Sequence, residues 1–303
     1  MYSHPIRTNK KIRLQGELFF HTLIIVTLLY NSHMSKPFFS IIIPTLNEEK
    51  FLPHLLDDLS KQSFRDFEVI LVDGQSEDQT VARAKNFETV LPSLKILTSP
   101  KRHVCTQRNL GAKSAKADVL IFSDADNRLP PYFLQGIKYR WESNKADILS
   151  CWLKPDISNP QSEAMALAMS TFLELQNNIK PTYLFEAMII ISKKCFQDID
   201  GFDESRDYAE GKNIIKPAIQ MGYTSHIARD PMYTTSFRRY RKYGALKMAS
   251  NIARSELAEI LGPEFHSLQA KKLYPMLGGT LFNKPKRVKN KFLKNIAKIL
   301  KEL

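Results

Sequence analysis

The chain has 303 residues, 43% of them hydrophobic, enough to bury a full core in one large or two small domains. Its formal net charge of +13 sits in its ends: residues 1–33 carry four basic and one acidic side chain, and residues 284–303 carry eight basic and one acidic, leaving +3 for the 250 residues between. A nearly neutral body does not support a basic groove, so nucleic acid is not an expected partner.

Taken in chain order, the first feature is the apolar stretch Leu18–Tyr30, which is 13 residues long and contains His21. A bilayer span needs about 20 such residues. Lys10, Lys11 and Arg13 precede it as in a signal peptide, but no small-residue cleavage site follows. Residues 1–37 are therefore expected to be an N-terminal extension. It is either a weakly membrane-associated segment or a stretch ahead of a true start at Met34.

From Phe38 the pattern alternates. Apolar runs at 38–43, 68–72, 94–97, 118–122 and 147–152 predict buried strands. Helical stretches lie between them near 48–61, 78–86, 104–115 and 131–142. Such alternation predicts a Rossmann-like α/β fold, a mostly parallel sheet with helices on both faces. The section 161–222 is more helical, with one strand-like run at 187–192, and helices are expected beyond Asp230. The expected division is a catalytic domain over 38–230, with halves at 38–160 and 161–230, and a helical extension over 231–303. In its basic tail Val288, Phe292, Leu293, Ile296, Ile299, Leu300 and Leu303 fall within an arc of about 140° at helical spacing. Arg287, Lys291, Lys294, Lys298 and Lys301 lie opposite, which suits either an anionic membrane surface or a helix packed on the body with a solvated face. The three cysteines, Cys105, Cys151 and Cys195, are odd in number and lack a C-x-x-C pair, so they read as ordinary thiols of a reducing compartment.

Ligands of such sheets bind beyond the carboxyl ends of the strands, so the residues after each run carry the functional information. Strand one ends in Pro44-Thr45-Leu46-Asn47-Glu48-Glu49, without glycine, which excludes a dinucleotide fingerprint and a phosphate loop. Strand two ends in Asp73-Gly74-Gln75-Ser76, either a tight strand-to-helix turn or a carboxylate placed to accept a base N–H or a ribose hydroxyl. Strand four ends in Asp124-Ala125-Asp126. Two carboxylates at i and i+2 after a buried strand repel unless a positive charge joins them, and hard oxygens favour Mg²⁺ or Mn²⁺. The competing reading is an Asp-rich turn leading to Pro130. Arg108, on the helix before that strand, could face a diphosphate or be a solvated helix cation.

Together SIIIPTLNEE, VDGQSEDQT, RNLGAKSAKADVLIFSDAD and GFDESRDYAEG resemble, in order and spacing over 38–222, the family 2 glycosyltransferases with the GT-A fold. The resemblance implies an inverting transferase in which an acceptor hydroxyl attacks the anomeric carbon of a nucleoside-diphosphate sugar. It implies that Asp73 and Glu48 hold the donor's nucleoside, with Pro44 and Asn47 in the same loop. It further implies that Asp124 and Asp126 form an Asp-x-Asp site for Mg²⁺ or Mn²⁺, which would counter the charge of the leaving diphosphate. Thr234–Tyr240 is similar to a segment some members place near that diphosphate, which would bring in Arg238 and Arg239; the bland alternative is a solvated helix face.

One departure stands out. A Glu-Asp pair whose aspartate is the general base opens the helix after GFDE in the family, and here the pair reads Glu210-Gly211. Glu210, or Asp207 one turn away, is the expected substitute, against simple acidic decoration of a helix N-terminus. The reading is a transferase acting on a glycan or lipid-linked hydroxyl in cell-surface synthesis, cytoplasmic or peripheral on the cytoplasmic membrane face. A nucleotide-sugar-binding protein that has lost its base, and an Asp-dependent phosphohydrolase, are the alternatives.

Overall fold

The computed structural model describes residues 36–205 and 210–243. The expectations for Leu18–Tyr30, Met34, Asp207 and the tail at 284–303 lie outside the described residues, and of Glu210 only the backbone is described. The chain divides at Pro37/Phe38, and every strand and helix named below belongs to the second unit.

Among the described residues seven strands form one sheet in the order β3-β2-β1-β4-β6-β5-β7. They are β1 (Phe39–Thr45), β2 (Phe67–Asp73), β3 (Leu94–Thr98), β4 (Val119–Ser123), β5 (Ile148–Pro155), β6 (Met188–Ser192) and β7 (Ser225–Thr235). β1 to β4 run parallel to one another, and β7 pairs parallel with β5. β6 runs antiparallel to both β4 and β5. Every residue of β1, β2 and β4 is buried, as near-continuous Ile/Val/Leu runs require when both faces are covered. The mostly parallel α/β architecture is the one the alternating pattern predicts.

Eight helices complete the described residues: α1 (Leu52–Ser60), α2 (Thr80–Lys85), α3 (Val104–Ser114), α4 (Phe133–Asn144), α5 (Pro160–Ile179), α6 (Lys193–Asp198), α7 (Glu210–Gln220) and α8 (Arg238–Tyr243). None of the described helices is long and apolar enough to cross a membrane. α3 matters most for the site. A Cβ on its Gly111 would come within 2.4 Å of Ile42 Cγ2 and 3.2 Å of Val72 Cγ2, so the missing side chain lets α3 press onto β1 and β2. Cys105, Cys151 and Cys195 are all buried, and none forms a disulfide among the described residues.

One sequence expectation needs correction. Helix was expected beyond Asp230, but β7 crosses that point, runs to Thr235, and only then gives way to α8. Its sequence, SHIARDPMYTT, has Arg229-Asp230-Pro231 at its middle and no apolar run to betray a strand. Among the described residues β7 is the outermost strand of the sheet, where an interior proline costs no ladder hydrogen bond on its unpaired side. The first helix also starts later than expected, at Leu52, because Asn47 takes a left-handed conformation (φ +55°) that keeps the Asn47–Glu49 segment a loop.

Candidate functional site

Three strand ends meet at one edge of the sheet. At the end of β2, Asp73 is buried and its carboxylate accepts from Ser76 N (2.9 Å), Ser76 Oγ (2.5 Å) and Thr45 Oγ1 (3.2 Å). These contacts are those of the turn reading: Asp73 closes the turn at the carboxyl end of β2. The loops after β1 and β2 are sewn together by side chains. Asn47 N donates to Ser76 Oγ at 2.8 Å, Glu77 N to Asn47 Oδ1 at 2.8 Å, and Glu48 N to Thr80 Oγ1 at 2.8 Å. Pro44 is buried within β1 opposite Val72, so it shapes the strand end. Gln107, buried on α3, donates to Thr45 O (2.8 Å) and Val72 O (2.7 Å) and holds the two strand ends at their spacing.

The second group is a cluster of carboxylates around one guanidinium. Arg238, the first residue of α8, places Nη2 3.0 Å from Asp126 Oδ2 and 3.4 Å from Glu48 Oε1. Its guanidinium also lies over the Phe51 ring, 4.6 Å from the centroid. Burial pushes the Glu48 carboxyl up to about 7 against the pull of Arg238, with Asp126 and Asp124 adding repulsion. Burial likewise raises Asp126 to about 6, opposed by Arg238 and reinforced by Asp124. One arginine does not neutralise this cluster. Glu48 Oε2 is buried without a hydrogen-bond partner, so the site has acceptor capacity to spare.

Asp124 is held from the other side. Arg108 is 2% exposed, and its Nη2 donates to Asp124 Oδ1 at 2.9 Å and to Glu186 O at 3.0 Å. A solvated helix cation is thus excluded for Arg108. Its guanidinium packs over the Phe202 ring at 5.2 Å, and Asn109 exchanges two hydrogen bonds with the Phe202 backbone, at 2.8 and 2.9 Å. The Arg108-Asn109 and Gly201–Glu204 motifs are accordingly one physical unit: α3 docks the turn that leads toward α7.

Glu48, Asp124, Asp126 and Arg238 are therefore brought together, with Arg108 behind them and Asp73 at the neighbouring strand end. Arg239 is exposed and adds only a minor attraction to Asp126. Asp207 lies outside the described residues, and the side chain of Glu210 is likewise undescribed. Sequence reading missed Phe51, Gln107 and Glu186. An aromatic three residues after Glu48 was the one available signal among them.

Two features keep Arg238 in place. Asp156, at the end of β5, accepts from Phe237 N (2.9 Å) and from both terminal nitrogens of Arg241 (2.6 and 2.7 Å). Arg128, two residues after Asp126, exchanges backbone hydrogen bonds with Thr234 of β7, at 2.8 and 2.9 Å. The strand missed in the sequence is what carries Arg238 across to the Asp-x-Asp loop.

Among the described residues no three Asp, Glu, His or Cys side chains form a ready metal cage. The donor chemistry nonetheless suits a hard divalent cation, since Mg²⁺-type ions commonly take one or two protein carboxylates and complete their shell with phosphate oxygens.

Residues 40–198 match the family model described as "Glycosyl transferase family 2", just over half of the chain. This chain belongs to glycosyl transferase family 2. A family relative, the PGL/p-HBAD biosynthesis glycosyltransferase of Mycobacterium bovis (strain BCG / Pasteur 1173P2), is 40% identical over 97 residues, 32% of this chain and 38% of that protein. The matches to the first curated relatives span 33% to 38% of those proteins' own length. Among solved structures, Staphylococcus aureus TarS 1–349 in complex with UDP is similar at a TM-score of 0.55 and 22% identity, covering 82% of this chain and 73% of that one. The mannosyltransferase PcManGT from Pyrobaculum calidifontis, in complex with GDP-Man and Mn²⁺, is similar at a TM-score of 0.56 and 16% identity, covering 95% and 91%. These structures share the GT-A fold with this chain.

Proposed function

We propose that this chain is an inverting glycosyltransferase that moves a sugar from a nucleoside-diphosphate sugar to an acceptor hydroxyl. The observation that carries the reading is the convergence of Glu48, Asp126 and Arg238 at 3.0 to 3.4 Å beside Asp124, at the strand ends of a family 2 domain. A diphosphate with a divalent cation supplies what that cluster lacks, positive charge for the carboxylates, and its oxygens suit the Arg238 guanidinium as an alternative partner.

In this reading Asp73 and Asn47 bind the nucleoside, and Glu48 borders it. Asp124 and Asp126 would hold Mg²⁺ or Mn²⁺, whose bound charge stabilises the leaving diphosphate. Arg238 moves from carboxylate to phosphate, with Arg239 as an outer cation, and Arg108 fixes Asp124 from beneath. The reading needs a carboxylate to take the acceptor's proton, and the sequence offers Glu210 and Asp207 near the start of α7 as candidates. Similar proteins bear the names PGL/p-HBAD biosynthesis glycosyltransferase and poly(ribitol-phosphate) beta-N-acetylglucosaminyltransferase. The second supports a hydroxyl-bearing polymer as acceptor, in keeping with a glycan or lipid-linked acceptor in cell-surface synthesis. The basic amphipathic tail at 284–303 fits peripheral contact with an anionic membrane, on its cytoplasmic face.

The test is thermal unfolding with UDP and GDP, each with and without Mn²⁺. One nucleotide should raise the midpoint, and more with Mn²⁺, because a ligand selective for the folded state stabilises it by mass action. No shift with either nucleotide under both conditions would overturn the reading.

A further inference from the structure

We propose that Glu186, which precedes β6, is the general base of the transfer; this rests on the glycosyl-transfer reading. The starting point is Gly211, which stands where the resemblance expects an aspartate. A Cβ built on Gly211 would sit 2.6 Å from Leu184 O and 3.2 Å from Glu186 Cγ. The first contact is with backbone, which cannot swing aside, so a side chain at 211 is excluded unless the chain before β6 shifts. The carboxylate found at that spot belongs to Glu186, whose Oε1 accepts from Gly211 N at 3.2 Å.

Glu186 is also tied to the donor machinery. Arg108 Nη2 holds the Glu186 carbonyl at 3.0 Å and Asp124 Oδ1 at 2.9 Å, so one nitrogen bridges the two residues. Asp124 N and Asn127 Nδ2 donate to the next carbonyl, Ala187 O, at 3.1 and 2.6 Å. The half-buried Glu186 is thereby fixed against the Asp-x-Asp loop by short backbone contacts, and a base must have its position set in this way relative to the reacting carbon. The Glu186 carboxylate accepts from the Gly211 amide in the first turn of α7, the positive end of that helix's dipole.

The chemistry balances. The acceptor oxygen bonds to the anomeric carbon as its proton passes to the Glu186 carboxylate. The bond from that carbon to the phosphate oxygen breaks, and its electron pair leaves on the nucleoside diphosphate. Glu186 returns the proton to water.

The experiment uses the full chain, with UDP-N-acetylglucosamine and GDP-mannose as donors and water as acceptor, and follows release of nucleoside diphosphate. Glu186→Gln keeps an acceptor for the Gly211 amide while removing the base. It should lower turnover by on the order of 100-fold or more, leave UDP or GDP affinity within about twofold, and abolish the fall in rate toward acid pH. Glu186→Asp should retain part of the rate. Turnover of Glu186→Gln within about fivefold of the parent overturns the assignment, as does finding that signature in Glu210→Gln or Asp207→Asn instead. A loss explained by weaker nucleotide binding also overturns it. A parent that binds nucleotide but never turns donor over sinks the base alone; a parent that binds neither nucleotide sinks the glycosyl-transfer reading with it.

Discussion

Arg238 and Asp126 form a 3.0 Å ion pair between the first turn of α8 and the loop after β4. The same guanidinium meets Glu48, so one side chain is the chief counter-charge of the buried Glu48 and the largely enclosed Asp126. Removing one partner of such a pair is costlier than the pair itself is stabilising, because the remaining charges stay buried.

Arg238→Ala should therefore lower the stability of the metal-free protein by about 2 kcal/mol, less than for a fully buried pair, because Arg238 retains 17% exposure. Mn²⁺ should recover more of the unfolding midpoint in this variant than in the parent, since the cation then replaces the lost charge. Scanning calorimetry with chelator and with Mn²⁺ checks both statements, and equal Mn²⁺ effects would count against the shared-site idea.

Asp73→Ala is expected to weaken binding of the preferred nucleotide by roughly 10- to 100-fold, the usual worth of a hydrogen bond to a charged group. Titration calorimetry with UDP and GDP measures it. Because Asp73 also accepts from Ser76 N and Oγ, circular dichroism must show that the variant stays folded.

Turnover in Asp124→Asn and Asp126→Asn should fall on the order of 100- to 1,000-fold, the range seen when one preorganised electrostatic contact is lost. Excess chelator should do the same to the parent. Full activity in chelator would remove the cation from the mechanism.

The core strands and Asp-x-Asp were legible because both announce themselves locally. Ile41–Ile43 and Leu120–Phe122 are apolar runs, and the carboxylates follow directly. β7 was not legible, since its burial comes from pairing with β5 and its own residues alternate without an apolar face. Arg238 could be named from its segment, but its partners Glu48 and Asp126 are remote in sequence and met only through that strand. Glu186 was invisible for a different reason. It is one acidic residue at the edge of an apolar run, and its environment depends on the absent Cβ of Gly211.

Gly111→Ala sets two effects against each other. Alanine gains about 1 kcal/mol of helix propensity, whereas a methyl 2.4 Å from the buried Ile42 Cγ2 forces α3 away from the sheet, at about 1–3 kcal/mol. Overpacking should win, because Ile42 is β-branched and wholly enclosed. Denaturant unfolding should show net destabilisation, and α3 should carry Arg108 out of reach of Asp124, lowering turnover as well.

Asp156 gives a pH dependence. Burial pushes its carboxyl up, but hydrogen bonds from Arg241, Phe237 N and Ser236 outweigh this and leave it below the usual range. A depressed carboxyl contributes stability that is fully present above its unfolded value and lost as pH falls through the folded one. The parent should thus lose this contribution only below about pH 4, and Asp156→Asn should lack it at neutral pH. Urea midpoints at pH 7 and pH 3 should differ more for the parent than for the variant.

The loops after β1 and β2 are joined through Asn47, Ser76, Glu48 and Thr80 by side chain-to-backbone hydrogen bonds running in both directions. Such a reciprocal clasp transmits displacement. If a nucleobase settles against Asp73 as proposed, it would pull on Ser76, and through Asn47 on the segment that carries Glu48. Choice of nucleobase and affinity for the phosphates would then be one mechanical variable, and the proposed transferase would sense the identity of its donor at the end of the molecule where the bond is broken.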